Sequence, residues 1–378
     1  MTDAPLAGIR VLELARILAG PWAGQALADL GADVLKVESA AGDDTRGWGP
    51  PFVEREDGSR DAAYFHSCNR GKRSVVIDFA SSQGQAKIRE LAAGADVLIE
   101  NFKVGGLAKY GLDYDSLKAL NPGLVYCSIT GFGQDGPYAS RPGYDFIIQG
   151  MSGIMDLTGE PDGEPQKIGV AFADVFTGMY AVVAIQAALL QRAATGTGQH
   201  LDIALLDSMV GVLANQGLNF LASGETPKRL GNVHPNVAPY EVLPTSDGWF
   251  ILAVGNDGQF ERLLGVLGLD SLGEDERFKG NEARIHNRDA LSLLLREATA
   301  TWEQATIMAA LEAAQVPVGP INSVAQAFAD PQVRHRGMQR LMAGEIPGVA
   351  PPFQLEGMTP TGPSPALGAD EATWKDQR

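Results

Sequence analysis

Asp174 is the acid with the most informative surroundings in the chain. It stands in Gly169-Val170-Ala171-Phe172-Ala173-Asp174-Val175-Phe176-Thr177-Gly178, with apolar neighbours on both sides. A carboxylate shielded from water can act as a nucleophile toward an activated acyl group. Asp is also a preferred helix N-cap, and the pattern predicts a helix beginning directly after it. The two uses are compatible, because a helix N-terminus favours the ionised carboxylate that a nucleophile must be. On the residues alone, both stay open.

Cations are scarce and therefore informative. Asn69-Arg70-Gly71-Lys72-Arg73 precedes a predicted strand, and Lys103 and Lys109 follow Glu100-Asn101-Phe102 after another. Loops at strand ends of an open α/β sheet are where ligands bind, so these cations fit a phosphorylated ligand, or else a solvated loop. Other chemistries lack their patterns. The first strand–helix turn, Ala19-Gly20-Pro21-Trp22-Ala23-Gly24, has Glu38 after the next strand but not the three glycines of a dinucleotide fingerprint. Gly150-Met151-Ser152-Gly153 lacks the last glycine of a nucleophile elbow. The five histidines, at 66, 200, 234, 286 and 335, show no short metal-ligand spacing, so no metal is expected.

The elements that must carry these residues alternate. Apolar runs at 8–14, 34–37, 74–79, 96–100 and 124–130 read as strands, with helices at 21–30, 83–93 and 114–120 between them. Such alternation predicts an α/β fold with a parallel sheet covered on both faces. Helices are expected at 175–192 and 205–221, and a Gly-, Pro- and Asn-rich linker at 223–239. A second pattern follows: a strand at 249–254 and helices at 259–267, 288–298, 301–313 and 323–329, then a Pro-rich tail. The expected domains are 1–222, 223–325 and a C-terminal segment 326–378.

Composition narrows the partners. Thirty Lys and Arg against 46 Asp and Glu give a net charge of −16, which repels nucleic acid and anionic membrane. Two cysteines, Cys68 and Cys127, cannot build a disulfide framework, so a reducing cytoplasm is expected. The first residues show no basic stretch leading into an apolar run, so no signal peptide is expected. The apolar stretch 168–190 contains Asp174, Thr177 and Gln186 and reads as a buried helix rather than a membrane span.

Several segments coincide with one family. They are Leu14-Ala15-Arg16…Ala19-Gly20-Pro21, Gly31 to Glu38, Asn69 with Lys72-Arg73-Ser74, Glu100-Asn101-Phe102, Gly131 to Tyr138, Gly143-Tyr144-Asp145, and Asp174 with Gly178. In order and spacing, from about residue 5 to about 340, the sequence resembles the class III CoA-transferases, the family of formyl-CoA transferase, carnitine CoA-transferase and α-methylacyl-CoA racemase. The resemblance implies a large Rossmann-like domain, a smaller α/β domain and an interlocked homodimer. It implies a transfer of CoA between carboxylic acids with no permanently bound cofactor, coenzyme A and acyl-CoA being substrates.

By the same resemblance Asp174 is the catalytic aspartate. Leu18 and Ala19 border the CoA thiol arm, Asn101, Phe102, Lys109 and Tyr110 line the CoA channel, and Tyr144 faces the active centre. Lys72 and Arg73 are expected at the CoA phosphates or adenosine. The chain departs from formyl-CoA transferase at Leu18, where that enzyme has Gln, at Ala253 to Gln259, where it has a glycine run, and at Lys109, where it has Arg. The racemases have His where Tyr144 stands, which favours transfer over racemisation. The second half, with Arg229-Leu230-Gly231-Asn232…His234, Arg284 to Arg288 and Pro317 to Asn322, looks most like the succinyl-CoA:dicarboxylate branch. A dicarboxylate needs a cation for its distal carboxylate, and Arg46, Arg229 and His234 are the candidates. A catalytically silent CoA-binding protein is the alternative from outside enzymes.

Overall fold

Val11, Leu12, Val97, Leu98, Ile99 and Val125 are fully buried, which only a sheet covered on both faces allows. In the computed structural model, which describes residues 4–356, 358 and 361–375, these residues lie in three adjacent strands of a six-stranded parallel sheet. The six strands are β1 (Arg10–Glu13), β2 (Asp33–Glu38), β5 (Arg73–Val76), β6 (Val97–Glu100), β7 (Val125–Thr130) and β8 (His200–Ala204), with a small antiparallel hairpin, β3 (Phe52–Glu54) and β4 (Arg60–Ala62), between them in the chain. The sheet order is β5-β2-β1-β6-β7-β8. Register is set by apolar pairs such as Val11↔Val34 and Val11↔Val97. The order reverses between β1 and β6, and the crevice beyond the carboxyl ends of those strands is where an open α/β sheet binds ligands.

One face of the sheet packs on the first helix, Ala19–Asp29, and on the long helix Phe172–Thr195. Small residues let the two helices approach: a Cβ at Gly178 would lie 2.7 Å from the Ala19 carbonyl oxygen. The long helix is apolar and long enough to cross a membrane by length and composition. Its stripe of Ala173, Thr177, Ala181, Val182, Ile185 and Ala188 is instead buried in the core of this unit. The other face is covered by Ile88, Leu91, Leu112 and Leu117.

The chain divides into two units. The larger holds Met1–Ile154, Lys167–Ala214 and Asp330–Arg378, and the smaller holds Met155–Gln166 and Asn215–Ala329. The smaller is an antiparallel sheet, β9 (Tyr240–Pro244), β10 (Trp249–Ala253) and β11 (Val318–Pro320), in the order β11-β10-β9. Its core gathers Phe250, Phe260, Leu263, Leu291, Leu295 and Ile307. A last hairpin, β12 (Gln339–Met342) with β13 (Ile346–Val349), belongs to the larger unit.

Three expectations about the connection are corrected. The helix expected at 205–221 is broken into Leu205–Gly211 and Ala214–Ser223, with Ala214 at a φ of 47° where the chain passes between units. The division therefore falls after Ala214, not after residue 222. Residues 223–239 do lack helix and strand, but they are part of the smaller unit rather than a linker.

Candidate active site

The turns after β1, β6 and β7 meet the start of the long helix around a cleft of about 440 Å³ in the larger unit. Leu18, Ala19, Asn101, Phe102, Lys109, Tyr110, Tyr144 and Asp174 all line it. So does Lys103, which the sequence offered for a phosphorylated ligand, and so do Arg16, Arg141 and Asp145, to which it gave no role of their own.

The turn after β1 is held in a strained shape. Ile17 has a φ of 71°, a left-handed conformation rare for a β-branched residue. Asn101 bridges the residue before it, accepting from Arg16 N at 3.0 Å and donating to Arg16 O at 2.7 Å. The Ile17 amide donates to the Asp43 carboxylate at 3.2 Å. The first helix starts at once, and no side chain caps its N-cap residue Leu18. Its first N–H groups therefore have no cap where Leu18 and Ala19 border the cleft.

Asp174 does not cap its helix, as the sequence suggested. The helix begins at Phe172, so Asp174 lies within the first turn. The cap comes from Asp145, whose Oδ1 accepts from the amides of Ala173 (2.8 Å) and Asp174 (3.3 Å). Asp145 heads the short helix Asp145–Met151, and Gln149 donates to its other oxygen at 2.8 Å. No group among the described residues hydrogen-bonds the Asp174 carboxylate. Burial, with Asp145 as a nearby like charge, pushes its pKa up to about 7. That corrects the expectation of a carboxylate kept ionised by the helix: removal from water outweighs the helix terminus.

The opposite wall is aromatic. Phe79 meets Phe102 and Tyr110 edge-on at 5.5 and 5.6 Å, and Lys109 Nζ lies 4.6 Å from the centre of the Tyr110 ring. The Phe102 amide donates to Glu100 Oε2 at 2.7 Å, which sets the turn out of β6. Burial raises the Glu100 carboxyl to a pKa of about 7. Arg141 stacks 4.5 Å from the Tyr138 ring centre, and Arg16 pairs with Asp44 at 3.0 Å across exposed surface.

Three expected ligand cations lie elsewhere. Lys72 is buried, and its ammonium donates to Glu13 (3.0 Å), Pro21 O (2.8 Å) and Asn69 (2.8 Å), which uses all its donors. Arg73 forms a fork with Asp33 at 2.9 and 2.8 Å and donates to Thr373 O. Arg46 is buried between Glu38 and Asp61. None of the three lines the cleft. In the smaller unit, Arg229 donates to the carbonyls of Glu160, Asp156 and Gly163 at 2.9, 2.9 and 3.1 Å, which binds residues 155–166 to that unit. His234 accepts from Asn236 N at 3.1 Å and packs on Tyr240. Lys72, Arg73 and Arg46 read as ligand cations in the sequence because charge alone does not tell a buried ion pair from a ligand contact.

Asp145 was missed as part of the cleft. The signal for it was an acid at the head of a helix beside Tyr144. Tyr64, held edge-on to Trp48 at 5.3 Å, has its hydroxyl pushed up to about 12 by burial and then by the charge of Asp174. Among the described residues no group of three or more His, Cys, Asp or Glu is placed to hold a metal.

Comparison with known proteins gives the family. The family described as CoA-transferase family III matches residues 6–371. A succinate–glutarate CoA-transferase of Agrobacterium fabrum is 57% identical over 386 residues, covering 98% of this chain and 96% of its own. Human succinyl-CoA:glutarate CoA-transferase is 40% identical, covering 96% of this chain and 84% of its own. The crystal structure of a CAIB/BAIF family protein from Brucella suis is similar, with a TM-score of 0.87 and 61% identity over 97% of each chain.

Proposed function

Since the chain belongs to CoA-transferase family III and is an enzyme that transfers CoA, we propose that it moves CoA from succinyl-CoA to glutarate or a closely similar dicarboxylate, with Asp174 as the nucleophile. The observation that carries the chemistry is the Asp174 carboxylate, which no group among the described residues hydrogen-bonds, in the cleft between the turns after β1 and β6. The donor and acceptor follow from the relatives, which are named for succinate or succinyl-CoA and glutarate.

Ionised Asp174 attacks the thioester carbonyl. The C–S bond breaks, CoA leaves as thiolate, and a mixed anhydride forms. The thiolate attacks the Asp174 carbonyl of that anhydride, freeing succinate and leaving an aspartyl-CoA thioester. Glutarate attacks the same carbonyl and expels the thiolate again. Attack of the thiolate on the glutaryl carbonyl then gives glutaryl-CoA and restores Asp174. Each exchange conserves an activated acyl group. The uncapped N–H groups at the start of the first helix supply the dipole for the oxyanions. Lys103, Lys109 and Arg141 supply charge for the CoA phosphates, and Phe102, Tyr110 and Tyr144 shield the anhydrides from water. Tyr144, where racemases have His, favours transfer. We further propose a cytoplasmic, interlocked homodimer. The long helix leaves Met179, Tyr180, Val183 and Leu190 exposed, an apolar face that supports assembly.

The test is intact-protein mass after mixing with succinyl-CoA and then hydroxylamine. The native chain is expected to carry a hydroxylamine-sensitive adduct that Asp174→Asn lacks, while the variant still binds CoA. Full transfer by Asp174→Asn sinks the mechanism.

A further inference from the structure

Gln149 is fully buried, and it lies one turn after Asp145 on the short helix Asp145–Met151. Both N–H donors of its amide and its oxygen are used. Nε2 donates to Asp145 Oδ2 at 2.8 Å and to the carbonyl of Val170 at 3.5 Å, and Oε1 accepts from the amide of Ile168 at 2.9 Å. The partners fix which end is which. Turned round, the amide would set its oxygen against a carboxylate and its NH2 against an N–H.

Every one of these partners bears on Asp174. The chain returns to the larger unit at Lys167, so Ile168 is the second residue after the return. Residues 167–171 form neither helix nor strand. Within them Gln149 holds Ile168 and Val170, and the Phe172 amide donates to the Val170 carbonyl at 2.8 Å. The long helix starts there, and Asp145 Oδ1 accepts from the amides of Ala173 and Asp174. A carboxylate turns about its Cβ–Cγ bond. With Oδ2 held by Gln149, Oδ1 is aimed at the helix start. Asp145 and Asp174 both line the cleft, and Gln149 does not. An apolar side chain could fill the same space; what the amide adds is direction, because a satisfied buried polar network specifies one arrangement.

We propose that Gln149 is a positioning residue for CoA transfer: through the Asp145 carboxylate and the backbone of residues 168–170 it fixes where the long helix begins, and so where Asp174 stands in the cleft. CoA is held by residues of other turns, so its binding does not depend on Gln149. The inference rests on Asp174 being the nucleophile.

The experiment uses two full-length variants. The rate of adduct formation from succinyl-CoA in a single turnover is measured across pH, beside CoA affinity by calorimetry. Gln149→Met keeps the length of the side chain and removes its three hydrogen bonds. Its adduct is expected to form about 10- to 100-fold more slowly, with CoA affinity unchanged. Gln149→Glu keeps the shape. Burial and the neighbouring Asp145 hold the introduced carboxyl protonated to a higher pH than usual. In that form it still donates to Asp145 and accepts from Ile168. Its rate is expected to match the native rate in acid, then to fall about tenfold or more below it as the introduced carboxyl ionises against Asp145. A side chain that only filled the core would leave that ratio constant. Native rates in folded Gln149→Met overturn the proposal. So does a loss of CoA affinity in proportion to the rate, which marks a general brace. If Gln149→Met does not fold, Gln149→Glu decides, and a ratio to the native rate that stays constant with pH overturns the proposal. Adduct formation by Asp174→Asn sinks the nucleophile instead, whichever way the Gln149 variants behave.

Discussion

At the scale of the residue, the site depends on a carboxylate kept in an unfavourable place. As the proposed nucleophile, Asp174 must be ionised to attack, and burial pushes its pKa up to about 7. The rate of adduct formation in a single turnover is therefore expected to rise with pH through about 7. Asp145→Asn removes a like charge and keeps an oxygen to cap the helix, so it is expected to move that midpoint down. An unmoved midpoint would show that burial alone sets it. The same shift has a consequence for stability. A carboxyl whose folded pKa lies above its unfolded value, about 3.9, weakens the fold as it ionises. Asp174→Asn is thus expected to unfold at a higher temperature than the native chain above pH 7. The gap narrows as pH falls and closes near pH 4; thermal scans at several pH values check it. The apolar neighbours of Asp174 singled it out in the sequence but left capping and nucleophilic readings open, and only the family resemblance pointed to the second. Arg46, Lys72 and Arg73 were misread because their partners Glu38, Glu13 and Asp33 come from other strands of the sheet.

At the scale of the element, two features bring the site together: the strained turn at Ile17 and the close approach of the first and long helices at Gly178. A Cβ at Gly178 meets the Ala19 backbone, which cannot swing away as a side chain does. Gly178→Ala is expected to cost about 1–3 kcal/mol and to lower turnover by shifting Leu18 and Ala19 in the cleft; denaturant unfolding and kcat test both parts. The strand–helix alternation of the first 130 residues was legible because apolar runs of strand length separate helical patterns. The break at Ala214 was not, since a positive φ at alanine is imposed by the surrounding fold and leaves no mark on composition. The cap from Asp145 was equally hidden, because donor and acceptor are 28 and 29 residues apart.

At the scale of the whole molecule, the C-terminal segment finishes the larger unit. β5 is an edge strand, and the segment covers it: Asp370 N donates to Ser74 O at 3.0 Å, Ser74 N to Asp370 Oδ2 at 2.9 Å, and Gly368 N to Ser74 Oγ at 3.0 Å. Covered edges resist pairing with other chains. Trp374 anchors the end, its Nε1 donating to Leu91 O at 3.0 Å while the ring packs on the core. Trp374→Ala is expected to cost roughly 2–4 kcal/mol and to make the protein prone to aggregation on heating; light scattering during a thermal ramp would show it, and an unchanged profile would mean the edge is protected otherwise. The Pro-rich tail gave no periodicity from which this docking could be read, because its contacts are made by scattered single residues. The docking also returns the C-terminal segment to the start of the sheet, for Arg10 on β1 donates to the carbonyl of Lys375 at 3.4 Å. A linker run between the described ends, Ala4 beside Gly31 and Lys375 bonded to Asp33, would therefore make a cyclic polymer. Two such rings, threaded as the proposed dimer requires, would be joined by a mechanical bond, and they would still travel as one species in denaturant.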